Sequence, residues 1–142
     1  MDRRQIELVQ QSFQHACRIE AHLAATFYAE LFAIDPSLRA LFSGDMIVLG
    51  QKLIATLKFV VSALDEPGAF LPAARALALR HVDYRVEARH YQTVGVALLR
   101  TLRHELGPDF TAETRAAWAA AYQLLSDAML KAAYGQPRAA SR

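Results

Sequence analysis

The chain has 142 residues, of which 54% are hydrophobic and 21% are charged, and its formal net charge is +2. This length suits one domain with a hydrophobic core, and this composition excludes a disordered chain. The scattered charges form no basic stripe of the kind that nucleic acid needs, and no stretch approaches the roughly 18 apolar residues of a membrane span, so neither partner is expected.

The first half of the chain is predicted to be helical, because apolar residues recur at helical spacing and strand signals are scarce. One helix is predicted from about Arg4 to Arg18, and a second begins near Glu20 and ends before Asp35. Asp35 is a good N-cap and Pro36 a good first helical residue, so a short third helix follows. A long fourth helix then ends near the loop at Asp65–Gly68, and its apolar face comprises Met46, Leu49, Leu53, Leu57, Val60 and Leu64.

Three more helices follow this loop. The first carries Leu77 and His81, and the second runs from Tyr91 until Gly107-Pro108 stops it. The last begins at the N-cap Thr111, and the tail over 134–142 is expected to fray. About seven helices of unequal length, with no repeat and no linker, indicate a single all-α domain over 1–142 with its core at about 4–133.

Two histidines near the middle of the chain differ in their predicted environment. His81 follows Ala74 and Leu77 at spacings of seven and four, so it lies on the apolar face of its helix. A histidine on a buried face is hydrogen-bonded, neutral or a metal ligand, and the spacing alone leaves these open. His90 precedes Tyr91 and is rotated by about 100° from the apolar face, so it is predicted at the surface or at a helix start.

Three stretches resemble a known family. "FYAELFAIDPSLRALF", "RHVDYRVEARHYQTVGVALLRTL" and "AAWAAAYQLLSDAM" resemble, in this order and spacing, the single-domain bacterial globins and the globin portion of flavohaemoglobins. The resemblance covers about Arg4 to Ala133. It implies the globin fold, in which unequal helices cross at steep angles around haem b, iron protoporphyrin IX.

The resemblance also implies roles for individual residues. His81 matches the proximal histidine that binds the haem iron, and Tyr91 matches the tyrosine that helps to hold it. Phe42 matches the phenylalanine that stacks on the haem, and Tyr28 matches the distal tyrosine, whose hydroxyl can donate a hydrogen bond to a bound gas. The remaining residues expected to contact the cofactor are Leu49, Lys52, Leu53, Leu57, Leu77, Arg80, Arg85, Val86 and Val94.

The distal helix is placed by matching Phe42 through His81 without gaps. This puts Leu49 at the gate position, where the family often has Gln or His, and Leu53 over the iron. A slipped register would instead make Gln51 the polar distal residue. Lys52 is expected to reach toward a haem propionate, and ligation of the iron by its neutral amine is the rarer alternative.

Two departures from the family affect the proximal side. The glutamate that joins the proximal histidine and tyrosine in flavohaemoglobins is matched by Ala133, so this charge relay is expected to be incomplete. The glycine that often precedes the valine after the proximal helix is matched by Arg85, which is expected to meet a propionate or to face solvent. No GxGxxG motif for a reductase is present.

Four functions are compatible with these residues. The first is reversible binding of O2 or another diatomic gas (NO, CO), and the second is NO dioxygenation with electrons from a separate reductase. The third is a gas sensor that acts through a partner protein, and the fourth is a haem-free regulatory module, which His81 on an apolar face disfavours. A single cysteine, Cys17, and the lack of a signal peptide favour the reducing cytoplasm.

Overall fold

The computed structural model describes residues 1–135, and these contain six α-helices and no strand. The helices are α1 (Arg3–Ala16), α2 (Glu20–Ile34), α3 (Met46–Ser62), α4 (Pro67–Asp83), α5 (His90–Leu106) and α6 (Ala112–Tyr134). Three 3-10 segments lie between them, at Cys17–Ile19, Pro36–Leu41 and Gly107–Asp109. The predicted pattern of about seven helices is confirmed, with the short third helix formed as the 3-10 segment Pro36–Leu41.

The helix boundaries follow from local capping. The Asp35 carboxylate accepts a hydrogen bond from the Ser37 amide at 3.1 Å, and the Thr111 hydroxyl accepts one from the Thr114 amide at 3.1 Å. Such caps satisfy amides that have no partner within the helix. At the end of α5, Gly107 has φ +56°, a conformation that glycine adopts without the strain that a Cβ brings.

The helices pack in pairs, and α3 and α4 contact each other only sparsely. α2 lies against α5, α4 against α6, and α1 against α6, whereas α3 packs on α2 and meets α4 only sparsely. Gly50 permits the close approach of α3 to α2, because a Cβ at this position would lie 3.0 Å from the Ala24 Cβ. The sparse contact between α3 and α4 leaves room for a cavity between them.

Two further expectations concern membrane-spanning helices and the C-terminal tail. Within residues 1–135, no helix combines the length and the apolar character that crossing a membrane would need. Tyr134 still belongs to α6, and residues 136–142 of the predicted tail lie outside the described part of the chain.

Candidate functional site

An apolar cavity of about 600 Å³ opens between α3 and α4 and reaches the core between the other helices. This volume lies within the roughly 300–1,000 Å³ that is typical of small-molecule and cofactor sites. Its wall includes twelve of the residues expected to contact gas or cofactor: Tyr28, Phe42, Leu49, Lys52, Leu53, Leu57, Leu77, Arg80, His81, Val86, Tyr91 and Val94. Arg85 is exposed and is not part of the wall.

The wall also contains residues that the sequence analysis did not assign to the site. They are mostly apolar side chains of the core: Val9, Phe27, Leu31, Leu38, Leu41, Val60, Val61, Leu64, Leu98, Trp118, Ala121, Leu125 and Met129, together with Ala55, Thr56, Tyr84, His90 and Tyr122. Helical spacing would have found a further set of wall residues, each of which follows an assigned residue by three or four positions: Leu31, Ala55, Thr56, Val60, Val61, Tyr84 and Leu98. Val9 on α1 and the wall residues of α6 have no assigned residue on their own helix, so their role depends on which helices face each other.

His81 has the hydrogen-bonding pattern of a neutral imidazole with one free nitrogen. Its Nδ1 lies 2.8 Å from the Leu77 carbonyl oxygen, one turn earlier in α4. A carbonyl only accepts, so Nδ1 carries the proton and Nε2 keeps its lone pair. Burial lowers the pKa of His81, and the neighbouring charge of Arg80 lowers it further, while the hydrogen bond to Leu77 opposes both. The ring is therefore held in the tautomer that metal-ligating histidines use.

His90 also lies in the cavity wall, but its nitrogens are used differently. It is the first residue of α5. Its side chain is 4% exposed and does not face solvent. Its Nδ1 accepts a hydrogen bond from the Glu87 amide at 2.9 Å, so the proton of the neutral ring sits on Nε2. Of the two predicted environments, the helix start is therefore the observed one, and the ring lies in the cavity wall instead of at the surface. With Nδ1 accepting from Glu87, His90 has no free lone pair for a metal.

Tyr28 lies on α2 within an aromatic cluster beside the cavity. Its ring stacks on Phe32 at 6.0 Å between centroids and meets Phe42 edge-on at 5.3 Å. The hydroxyl donates a long hydrogen bond of 3.4 Å to the Leu49 carbonyl oxygen. Burial raises the pKa of Tyr28 to about 12, so the hydroxyl keeps its proton at neutral pH.

The register of α3 places Leu49 rather than Gln51 at the cavity. Leu49 and Leu53 both line the wall, whereas the Gln51 side chain is exposed and lies outside it. Lys52 is exposed and reaches the wall from the same helix. The Tyr28 hydroxyl is therefore a polar donor among apolar distal neighbours.

A comparison with models of protein families identifies the family of this chain. The model described as Globin matches residues 25–129, which is most of the chain. The chain belongs to the globin family. The expected resemblance and the expected globin fold are thereby confirmed.

The relatives of this globin include longer proteins. It is 36% identical over 111 residues to a flavohemoprotein of Bordetella parapertussis and 34% identical over 118 residues to one of Deinococcus radiodurans. These matches cover 76% and 79% of this chain but 28% and 29% of the relatives, so the chain corresponds to less than a third of their length.

A solved structure matches the globin along its whole length. It is an engineered carbene transferase named as a "putative nitric oxide dioxygenase from Rhodothermus marinus", with a TM-score of 0.84 and 27% sequence identity. The match covers 100% of this chain and 99% of the other.

Haem is the cofactor that the family implies, and the residues of this globin fit it. The wall is largely apolar, as a porphyrin requires, and His81 offers a free Nε2 to the iron. Lys52 and Arg80 are exposed cations on the wall, suited to the two carboxylates of the porphyrin. Buried apolar walls with a few polar groups are the usual design of cofactor sites.

The proximal side contains a buried tyrosine beside His81. Tyr91 is 5% exposed, and its ring centroid lies 6.5 Å from that of His81. Its hydroxyl is buried without a hydrogen-bond partner among the described residues. Ala133, which was expected to match the family's glutamate, is half-buried and has no side-chain acceptor to offer.

The way in which α4 ends explains the backbone conformation of Arg85. The Val86 amide donates to the His81 carbonyl at 3.0 Å, and the Arg85 amide donates to the Val82 carbonyl at 3.0 Å. This pair of bonds is a Schellman motif, which requires a left-handed residue after the helix. Arg85 occupies that position with φ +67°, and its side chain is exposed.

Proposed function

We propose that this globin binds a diatomic gas reversibly, with O2 foremost, in a cavity that holds haem b. The observation that carries the proposal is the free Nε2 of His81 in the wall of an apolar cavity that also contains the Tyr28 hydroxyl. Haem, when bound, supplies an iron with one open coordination position for a diatomic molecule.

The proximal residues hold the histidine in its ligand form. The Leu77 carbonyl accepts the Nδ1 proton of His81 at 2.8 Å, which directs the basic lone pair to Nε2. Burial of the imidazole keeps it neutral, because the charged form loses hydration in an apolar wall. Val86 lies on the same wall of the cavity as His81.

The distal residues combine the Tyr28 hydroxyl with a mostly apolar wall, in which Lys52 and Thr56 are the polar side chains of α3. Tyr28 retains its proton and can turn its hydroxyl from the 3.4 Å bond with Leu49 toward a gas molecule that carries partial negative charge. Such charge-assisted hydrogen bonds contribute about 1.5–3 kcal/mol. Leu49, Leu53 and Leu57 exclude water from the same space. Gas retention therefore depends on Tyr28.

The decisive experiment is the visible spectrum of the protein purified with haem supplied. It is recorded in the ferric form, after reduction by dithionite under argon, and then under CO. We expect a Soret band that shifts at each step, and its loss or alteration in His81→Ala. His90→Asn is the matched control, since the amide oxygen can replace Nδ1 as acceptor for Glu87. Absence of stoichiometric haem uptake by the unmodified chain would refute the proposal.

NO dioxygenation is the second candidate, because the similar proteins include flavohemoproteins and one whose name reads "putative nitric oxide dioxygenase". A separate reductase would have to supply the electrons. Among residues 1–135 the Tyr91 hydroxyl has no partner, and with Ala133 at the expected glutamate position no carboxylate there makes the proximal histidine more basic, which favours gas binding over fast turnover. Consumption of NO with a supplied flavin reductant and NADH distinguishes the two. A gas sensor would need a partner protein in addition.

A further inference from the structure

A second depression of the surface lies between α2 and α5, apart from the cavity that contains His81. Its volume is about 410 Å³, and its wall consists of Glu30 from α2 and of Arg100, Arg103 and His104 from α5. None of these four residues lines the larger cavity. The wall of the depression is therefore formed by charged and ionisable side chains, whereas the wall around His81 is mostly apolar.

The three basic side chains of the depression belong to one face of α5. Arg103 and His104 follow Arg100 by three and four positions, so their Cβ atoms lie about 5–6 Å from that of Arg100. All three side chains are exposed. A guanidinium group offers parallel N–H donors that bind two oxygens of a phosphate or carboxylate at once. Two such groups, one helical turn apart, can bind two neighbouring anionic groups.

Glu30 lies beside this cluster but leaves most of its donors unused. The Glu30 side chain is 21% exposed, and its two carboxylate oxygens lie 3.3 Å from His104 Nε2 and 3.9 Å from Arg100 Nη1. The second distance is too long for a hydrogen bond, so the N–H groups of Arg100 remain available. Arg103 has no carboxylate within 4 Å among residues 1–135. Two permanent positive charges thus face one negative charge.

The neighbouring carboxylate of α5 is engaged elsewhere. The Oε1 atom of Glu105 lies 2.8 Å from His22 Nδ1, and the Glu105 side chain is only 9% exposed. Glu105 does not contribute to the wall of the depression. Within the described part of the chain, Glu30 is therefore the single acidic side chain in this wall, and the depression keeps an excess of positive charge.

We propose that this depression is a binding site for a small oxyanion with two neighbouring negative groups, such as a diphosphate. Arg100 and Arg103 each bind one of the two groups through paired N–H donors. Because the Glu30 carboxylate repels anions, a ligand that engages only one arginine is held more weakly than one that engages both. The site needs no haem, so this inference goes beyond the proposed function and does not rest on it.

The test is a titration of the ¹⁵N-labelled full chain with sodium pyrophosphate. The ionic strength is kept constant and low, where exposed charges are least screened, and the side-chain Nε–H resonances of the arginines are followed. We expect saturable shifts at Arg100 and Arg103. Arg103→Gln is expected to weaken binding by about three- to tenfold, because an exposed charge-assisted contact is lost. Arg75→Gln removes the same charge from an exposed position on α4 and should leave the affinity nearly unchanged.

Two further ligands define the chemistry of the anion. Inorganic phosphate has one anionic group and is expected to bind more weakly than pyrophosphate. Citrate carries carboxylates, so a preference for pyrophosphate or for citrate identifies phosphoryl or carboxylate groups as the source of the oxyanion. Phosphate binding as tight as that of pyrophosphate would refute the requirement for two groups.

Three other results would overturn the inference. The first is the absence of saturable shifts at Arg100 and Arg103. The second is equal weakening by Arg103→Gln and Arg75→Gln, which would show a general attraction of anions to a positively charged protein. The third is a set of shifts confined to Arg80, which would place the anion at the cavity that contains His81.

Discussion

His81 and His90 both line the cavity, and the Nδ1 atom of each is bonded to the backbone. His81 donates to a carbonyl and so keeps its Nε2 lone pair, whereas His90 accepts from an amide and so carries its proton on Nε2. The backbone group that bonds to Nδ1 thus decides whether the histidine can bind iron or supports a turn. The same reasoning applies to any pair of buried histidines near a cofactor.

Replacing Tyr28 by Phe is expected to raise the O2 dissociation rate by about ten- to a hundredfold. The variant loses a hydrogen bond of about 1.5–3 kcal/mol to bound O2. In the gas-free protein it loses only the long bond from the hydroxyl to the Leu49 carbonyl, and this smaller loss offsets part of the difference. Stopped-flow displacement of O2 by CO measures the rate. CO dissociation is the internal control, since CO carries less charge and should respond less. An unchanged O2 rate would remove Tyr28 from this role.

Replacing Arg85 by Gly is expected to stabilise the fold by up to about 1 kcal/mol. The left-handed φ of +67° costs a residue with a Cβ about 1–2 kcal/mol, and the extra flexibility of glycine in the unfolded chain offsets part of the gain. Urea unfolding measures the change. Arg85→Ala retains the Cβ and should show no comparable gain, so equal effects of Gly and Ala would contradict the explanation by backbone strain.

At the scale of elements, Gly95 allows α5 and α6 to pack closely. A Cβ built on Gly95 would lie 2.7 Å from the Tyr122 Cε2 atom, and Tyr122 is held there by its hydrogen bond of 2.5 Å to the Tyr91 carbonyl. Contacts shorter than 3.0 Å require something to move. The tyrosine cannot swing aside without breaking that bond, so the distance between the two helices depends on the missing Cβ.

Gly95→Ala is therefore expected to destabilise the protein by about 1–2 kcal/mol. Overpacking costs roughly 1–3 kcal/mol, and the better helix propensity of alanine returns up to about 1 kcal/mol. Gly68→Ala is the matched control, because Gly68 is also helical and a Cβ there would meet nothing within 4 Å. Thermal unfolding by circular dichroism compares the two, and equal midpoints would rule out the steric explanation.

At the scale of the whole molecule, buried tyrosines couple stability to alkaline pH. Burial raises the pKa of Tyr28 and of Tyr91 to about 12, compared with about 10 in an unfolded chain. Between these values the folded protein holds protons that the unfolded chain has lost. The contribution to stability is complete below pH 10 and disappears as the pH rises through about 12.

The free energy of unfolding is accordingly expected to fall with rising pH above 10. Each of the two tyrosines adds at most about 1.4 kcal/mol per pH unit to the slope. Urea titrations of the haem-free protein between pH 9 and 11.5 measure it, and Tyr28→Phe should flatten it. A slope that stays the same in Tyr28→Phe/Tyr91→Phe would show that other groups control alkaline unfolding.

Much of the fold was predictable because its signals are local. The N-caps Asp35 and Thr111, the stop at Gly107 and the apolar spacing around His81 act within one or two helical turns, and the helices begin and end close to them. The gapless match from Phe42 to His81 also placed Leu49 at the cavity, because residues on one helix face keep their phase.

By itself, the sequence determined the helices, their apolar faces and the position of His81 on one of them. Only the tertiary structure decided that the His90 ring is covered, that Arg85 turns away from the cavity, and that the Tyr134 hydroxyl donates a hydrogen bond to the Val86 carbonyl. The physical reason is the same in each case. Helical period and capping reflect contacts over a few residues, whereas burial and hydrogen bonds across 48 positions depend on how the helices cross.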